Sequence, residues 1–171
     1  MKTSKYGKLP PSQREIVSYY TEPDVGTIVG YALYNQLRLT TQVGKNIEVY
    51  SSRMTQPTKT VPNVRVTCCD LEFTPEVKAV IHMMDVLQSF SEIQDLDYVK
   101  FLEFSHEFAQ QYSEEAFELV NHALCYPKRA ISFLREVLDY YGAQHDLGRY
   151  FSSLSEYKHP RMGEIHAAAH L

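Results

Sequence analysis

The stretch TPEVKAVIHMMDVLQ, residues 74–88, decides how this chain folds. Thr74 offers a side-chain cap. Pro75 sits at the first helical position, where no N–H is needed, and Glu76 puts negative charge in the first turn, where the helix dipole favours it. Val77, Val80, Ile81, Met84 and Leu87 then follow at three- and four-residue spacing and share a face. The same period holds almost to the end of the sequence. A second helix is expected from about Asp95 to Tyr112, with Tyr98, Phe101, Leu102, Phe108 and Ala109 as its stripe. Ser113-Glu114-Glu115 caps a third, with Phe117, Val120, Ala123 and Leu124 inward, and Tyr126-Pro127 breaks it. A fourth carries Ile131, Leu134, Leu138 and Tyr141 and closes at Gly142. A shorter fifth holds Leu147, Tyr150, Phe151 and Leu154, and a last short one holds Met162, Ile165 and Ala169. The connections are a few residues long, which favours antiparallel neighbours in a bundle.

Upstream of Thr74 the pattern changes. Ser12-Gln13-Arg14-Glu15 reads as a capping box that opens a helix of about two turns, with Ile16, Val17 and Tyr20 apolar. Thr21-Glu22-Pro23-Asp24 repeats a start signal. Val25, Ile28, Val29, Ala32, Leu33 and Leu37 follow at helical spacing, with Gly26 and Gly30 one turn apart as a small contact face; a strand over 27–34 is the other reading. Leu39, Thr41 and Val43 alternate, Gly44-Lys45-Asn46 turns, and Ile47, Val49 and Ser51 alternate again, which predicts a hairpin. Thr55 to Pro62 reads as a loop, and Asn63 to Phe73 as a third strand. The fold expected is α+β and predominantly α: a small antiparallel sheet of about three strands, then a bundle of about five helices. Residues 1–11 form a basic flexible arm ending in Pro10-Pro11. Residues 12–171 form one domain, with helix and sheet over 12–73 and the bundle over 74–171.

Composition bounds the function. The chain has 171 residues, 44% hydrophobic and 22% charged, with net charge −4, which suits one folded domain and not a disordered segment. No run approaches the ~20 apolar residues of a membrane helix. The basic start Met1-Lys2-Thr3-Ser4-Lys5 leads into no apolar stretch, so no secretory signal is expected. Three cysteines, two of them adjacent, suit free thiols in the cytoplasm better than a disulfide framework. His166 and His170 lie one helical turn apart, a spacing that suits Zn²⁺ or Ni²⁺, with His159 just upstream. Their place in the last residues favours an exposed terminus, and neither metal nor cofactor is expected. Phosphate-binding loops, dinucleotide fingerprints, nucleophile elbows and zinc motifs are missing from the sequence. This lack of housekeeping motifs points towards a viral or mobile-element accessory or structural protein.

Charge is distributed unevenly. Residues 1–70 carry nine Lys or Arg and five Asp or Glu, whereas residues 71–171 carry eight and sixteen. The basic half interleaves Lys2, Lys5, Lys8, Arg14, Arg38, Lys45, Arg53, Lys59 and Arg65 with Tyr6, Tyr19, Tyr20, Tyr31, Tyr34 and Tyr50. Basic residues with aromatics between them can hold single-stranded nucleic acid. The acidic half sets Glu103 with Glu107, and Glu114 with Glu118, one turn apart on polar helix sides. Opposite charge on two halves of one chain suits self-association. The leading expectation is a non-enzymatic interaction or assembly protein, a homo-oligomer or the partner of another protein. Lys5, Lys8, Arg14, Arg38, Tyr19, Tyr20, Tyr31 and Tyr34 would meet Glu103, Glu107, Glu114 and Glu118. Sequence-independent nucleic-acid binding is a further reading.

Arg161 and His166, with four residues between them in RMGEIH near the start of a late helix, resemble the ribonuclease motif of HEPN domains. The match covers these two residues. Met162 stands where that motif often has a polar residue. The resemblance implies a helical bundle that dimerises around a composite cleft. There His166 would move the proton during attack of a ribose hydroxyl, and Arg161 would hold the phosphate. A small HEPN-like ribonuclease is therefore the alternative function.

Overall fold

The computed structural model describes residues 3–4, 7–8 and 10–171. Thr3–Ser4 (β1) and Gly7–Lys8 (β2) pair antiparallel within the basic arm. Lys2, Lys5 and Tyr6 lie outside the described residues, and Lys8 is described through its backbone alone. Beyond the arm the chain is an α+β fold, predominantly α. A four-stranded sheet lies at one end and a helical bundle follows it.

Gln13–Thr21 (α1) starts at the expected capping box: Ser12 Oγ accepts from the Glu15 N–H at 3.3 Å, and Glu15 Oε2 accepts from the Ser12 N–H at 2.7 Å. The continuous helix over 25–37 does not form, and Thr21–Asp24 is not a helix start. Gly26–Val29 is a strand (β3), and Gly30–Gln36 a short helix (α2). The two glycines explain the division. A Cβ on Gly26 would collide with the carbonyl oxygens of Tyr20 and Tyr50, so the strand needs glycine to approach both. Gly30 has φ +69° and lies against the Glu48 carboxylate, so it is a left-handed corner and not part of a helix contact face.

The predicted hairpin keeps only its second half, Ile47–Ser51 (β4). The first half is bonded elsewhere. The Leu39 carbonyl accepts from the Asp97 N–H at 2.7 Å, Thr40 Oγ1 donates to the Gln94 carbonyl at 2.6 Å, and Asn35 Nδ2 donates to the Thr40 and Gln42 carbonyls. Leu39 is fully buried and Val43 is 83% exposed, so their alternation reflects one side chain entering the core and one leaving it. The expected loop before Pro62 contains Thr58–Val61 (β5), which a Pro62-Asn63 turn joins to Val64–Cys68 (β6). Pro57 and Pro62 flank β5 without interrupting it, and β5 is an edge strand, where proline is tolerated. Phe73 is not in the third strand; it is buried in the bundle core.

The sheet order is β3-β4-β6-β5. The pairs β3–β4 and β5–β6 are antiparallel, but β4–β6 is parallel, so the sheet is mixed, with four strands in place of three antiparallel ones. One face packs Val49, Val64 and Val66 against Ile16 and Tyr20 of α1. The register puts Thr27 opposite Tyr50 and Val29 opposite Glu48 on the other face, towards the helices.

Pro75–Gln88 (α3) is the centre of the bundle. Thr74 Oγ1 accepts from the Val77 N–H at 3.3 Å, as its sequence predicts. Seven α3 residues are buried, and the helix packs against β3, α2, Tyr98–Gln110 (α4), Glu114–Leu124 (α5) and Lys128–Tyr140 (α6). Apolar side chains over so wide an arc of a helix require such an interior position. The short helix expected at Leu147 is a single 3₁₀ turn, Leu147–Tyr150, and Leu154 is 91% exposed. Met162–Ala169 (α7) closes the bundle against α4 and α6.

Candidate functional site

The exposed cations of the sheet end stand apart from the other charges. Arg14, Arg38, Lys45, Arg53, Lys59 and Arg65 are all exposed. Among the described residues none of the six makes an ion pair. Arg53 instead lies 5.1 Å over the Tyr19 ring and donates to the Tyr19 carbonyl at 3.0 Å. Arg14 borders a cleft of about 470 Å³ whose floor is Val17, Ile28 and Ile47.

The tyrosines divide. Tyr19 is 57% exposed, whereas Tyr20 and Tyr34 are buried and Tyr31 is half-buried. The Tyr31 hydroxyl donates to the Glu92 carbonyl at 3.3 Å, and the Tyr34 hydroxyl to the Asp85 carbonyl at 3.3 Å. Of these four only Tyr19 is exposed, with Arg53 over its ring and Tyr20 edge-on to it.

The acidic residues are partly spent on the bundle itself. Glu103 pairs with Lys100 at 2.8 Å, and Glu107 is exposed one turn further on. Glu114 and Glu118 both grip Arg149, at 3.0 and 2.6 Å, and Glu114 also accepts from the Tyr112 hydroxyl and the Asp146 N–H. That pair ties the 3₁₀ turn to α5. Burial, reinforced by the neighbouring Glu114 carboxylate, raises the Tyr112 phenol well above its ordinary range.

A polar seam that sequence reasoning missed joins the two halves. On α3, Lys78, His82 and Asp85 follow at four- and three-residue spacing and face the segment from Asp24 to Tyr34. Lys78 Nζ meets Asp24 at 3.0 Å, His82 Nε2 meets Thr27 Oγ1 at 2.7 Å, and Asp85 Oδ2 accepts from the Gly30 N–H at 2.8 Å. Burial lowers His82 to about 4, with the Lys78 charge adding to it. Burial raises the Asp85 carboxyl; the Gly30 and Tyr34 hydrogen bonds oppose that, and the Glu48 charge reinforces it. Burial first, and then Asp85, pushes the Tyr50 phenol up to about 12. The signal for the seam was available: three polar residues on one face of an otherwise apolar helix.

Arg161 and His166 have different partners. Arg161, just before α7, holds Glu136 Oε2 of α6 at 3.1 Å, and Glu136 Oε1 accepts from the Met162 N–H at 3.1 Å. His166 is exposed on α7, its ring 4.5 Å from that of His170. Sequence reasoning noticed His159 but not Ser132, which lies 3.0 Å from it.

Among the described residues no group of three or more His, Cys, Asp or Glu side chains is arranged to hold a metal ion. No described helix is long and apolar enough to cross a membrane. Compared with known protein families, curated proteins and solved structures, the chain matches none.

Proposed function

We propose that this is an interaction or assembly protein that binds an acidic protein surface through its sheet end. The favoured partner is the acidic helical side of a second copy. One observation carries this reading. Lys100, Arg135, Arg149 and Arg161 of the bundle have a carboxylate partner and Lys128, Arg129 and Lys158 do not, whereas Arg14, Arg38, Lys45, Lys59 and Arg65 of the sheet end all lack one among the described residues. Unpaired exposed cations keep their long-range field and steer an anionic partner. Lys59 on the edge strand β5 is paired with Val66 and Arg65 on β6 with Thr60, so the two cations project from opposite faces at the same edge of the sheet. Free thiols at Cys68, Cys69 and Cys125 support a cytoplasmic setting.

Light scattering tests the reading. The mass at low salt should exceed 19.8 kDa and fall towards it as salt screens the contact. Lys59→Glu with Arg65→Glu should lower the low-salt mass while leaving the circular dichroism spectrum unchanged. A monomer at every concentration and salt overturns the self-association. Salt-sensitive capture of single-stranded RNA by a persistent monomer would move the reading to nucleic-acid binding. RNA cleavage that disappears in His166→Ala would move it to the ribonuclease.

A further inference from the structure

Ser132 and Glu136 lie one turn apart on α6. His159 and Arg161 lie two residues apart in the extended segment that leads into α7. These spacings match, because four helical residues rise about 6 Å and two extended residues about 6.6 Å. The segment therefore runs along α6 as a ladder of two rungs, His159 on Ser132 and Arg161 on Glu136.

The Ser132 rung has the arrangement of a nucleophile with its base. Ser132 Oγ lies 3.0 Å from His159 Nε2. His159 Nδ1 lies 2.9 Å from the Pro160 carbonyl oxygen, which can only accept, so Nδ1 carries the proton. Nε2 of the neutral ring is then the acceptor and Ser132 the donor. The ring is held from the side as well: it stacks on Phe133 at 5.2 Å and 11°. A hydroxyl, a base within hydrogen-bond reach and a third group that sets the base's tautomer are the elements of an activated serine. Both side chains are half-buried, so each keeps some contact with solvent.

We propose that Ser132 is a nucleophile, that His159 is its general base, and that together they hydrolyse carboxylic esters. Ser132 Oγ attacks the carbonyl carbon while its proton passes to His159 Nε2. The ester C–O bond breaks, and the alcohol leaves with that proton. Water then attacks the acyl-serine and gives a proton to His159. That proton returns to Ser132 Oγ as the carboxylic acid departs. This activity is independent of partner binding, because none of the sheet-end cations takes part.

A fluorophosphonate probe on the full chain, read by peptide mass mapping, tests it. Covalent phosphonylation is expected on the peptide containing Ser132. It should be absent in Ser132→Ala and slowed at least tenfold in His159→Gln. Glu136→Gln breaks the other rung without touching the dyad and should label like the parent. p-Nitrophenyl acetate added to the parent should release p-nitrophenol in a burst as the acyl-serine accumulates, a readout that needs no variant to fold. An unlabelled Ser132 in folded parent protein overturns the proposal. So does equal labelling in folded His159→Gln, or p-nitrophenol release by the parent with no burst.

Discussion

The sheet end and the helical bundle solve the problem of burial differently. The sheet's α1 face has a small core of five buried residues, Ile16, Tyr20, Val49, Val64 and Val66. The bundle core has thirty and reaches back to take in Val29, Leu33, Tyr34 and Leu39 from the N-terminal half. The bundle also satisfies part of its charge internally: Arg149 joins the 3₁₀ turn to α5, and Arg161 joins α7 to α6. The sheet end leaves its cations to solvent. The larger core therefore supplies most of the stability, and the smaller unit is free to present unmatched charge. Between them lies the seam of Lys78, His82 and Asp85, polar where both flanking cores are apolar.

The sharpest way to break this comparison is to make a hole on each side. Phe117 is fully buried on α5, edge-to-face with Tyr150 at 5.7 Å. Phe117→Ala should cost about 4 kcal/mol by urea unfolding, and Val66→Ala in the small core only about 2. Equal losses, or the reverse order, would show that the Val66 site relaxes less around its hole than the Phe117 site does.

Acid should attack the seam next. His82 titrates near 4 in the fold against 6.5 for an unperturbed histidine. As pH falls from 6.5 to 4, the unfolded chain takes up a proton that the native state refuses. Stability then drops by roughly 3 kcal/mol and stops falling on this account below 4. Asp85 has the opposite sign. Its raised carboxyl favours the fold at low pH, and that contribution is lost as pH rises through its folded value. Urea midpoints for the parent and His82→Gln should converge towards pH 4 and separate above 6.5. A constant separation would remove His82 from the account.

The smallest effect belongs to the corner that starts α2. Gly30→Ala forces a side chain onto a φ of +69° and against Glu48. It should cost about 1–2 kcal/mol. Hydrogen exchange should show faster opening in β3 and β4 than in α5. Uniform acceleration would mean that the seam transmits the damage and the two regions open as one.

Much of the bundle was legible because its signals are local. Ser12, Thr74 and Ser113 cap the helices they were expected to cap, and Gly142 takes a positive φ after α6. The sheet was harder to read. Leu39, Thr41 and Val43 alternate as a strand would, yet Asn35, Gln94 and Asp97 take up hydrogen bonds that a hairpin partner would have made. β5 was hidden between two prolines that an edge position tolerates. Of the candidate site, Arg14 and Arg38 lie at the surface, whereas Tyr20 and Tyr34 went to the interior. Ser132 carried no sequence signal, because its partner His159 is 27 residues away in sequence.

The amino-acid sequence was enough for α1, for the helices α3 to α6, for the caps at Ser12, Thr74 and Ser113 and for the uneven charge, since each depends on residues within a turn or on composition. Tertiary structure decided the strand order β3-β4-β6-β5, the seam on α3, and which cations found carboxylates. These depend on which distant segments meet, and no local spacing encodes that meeting.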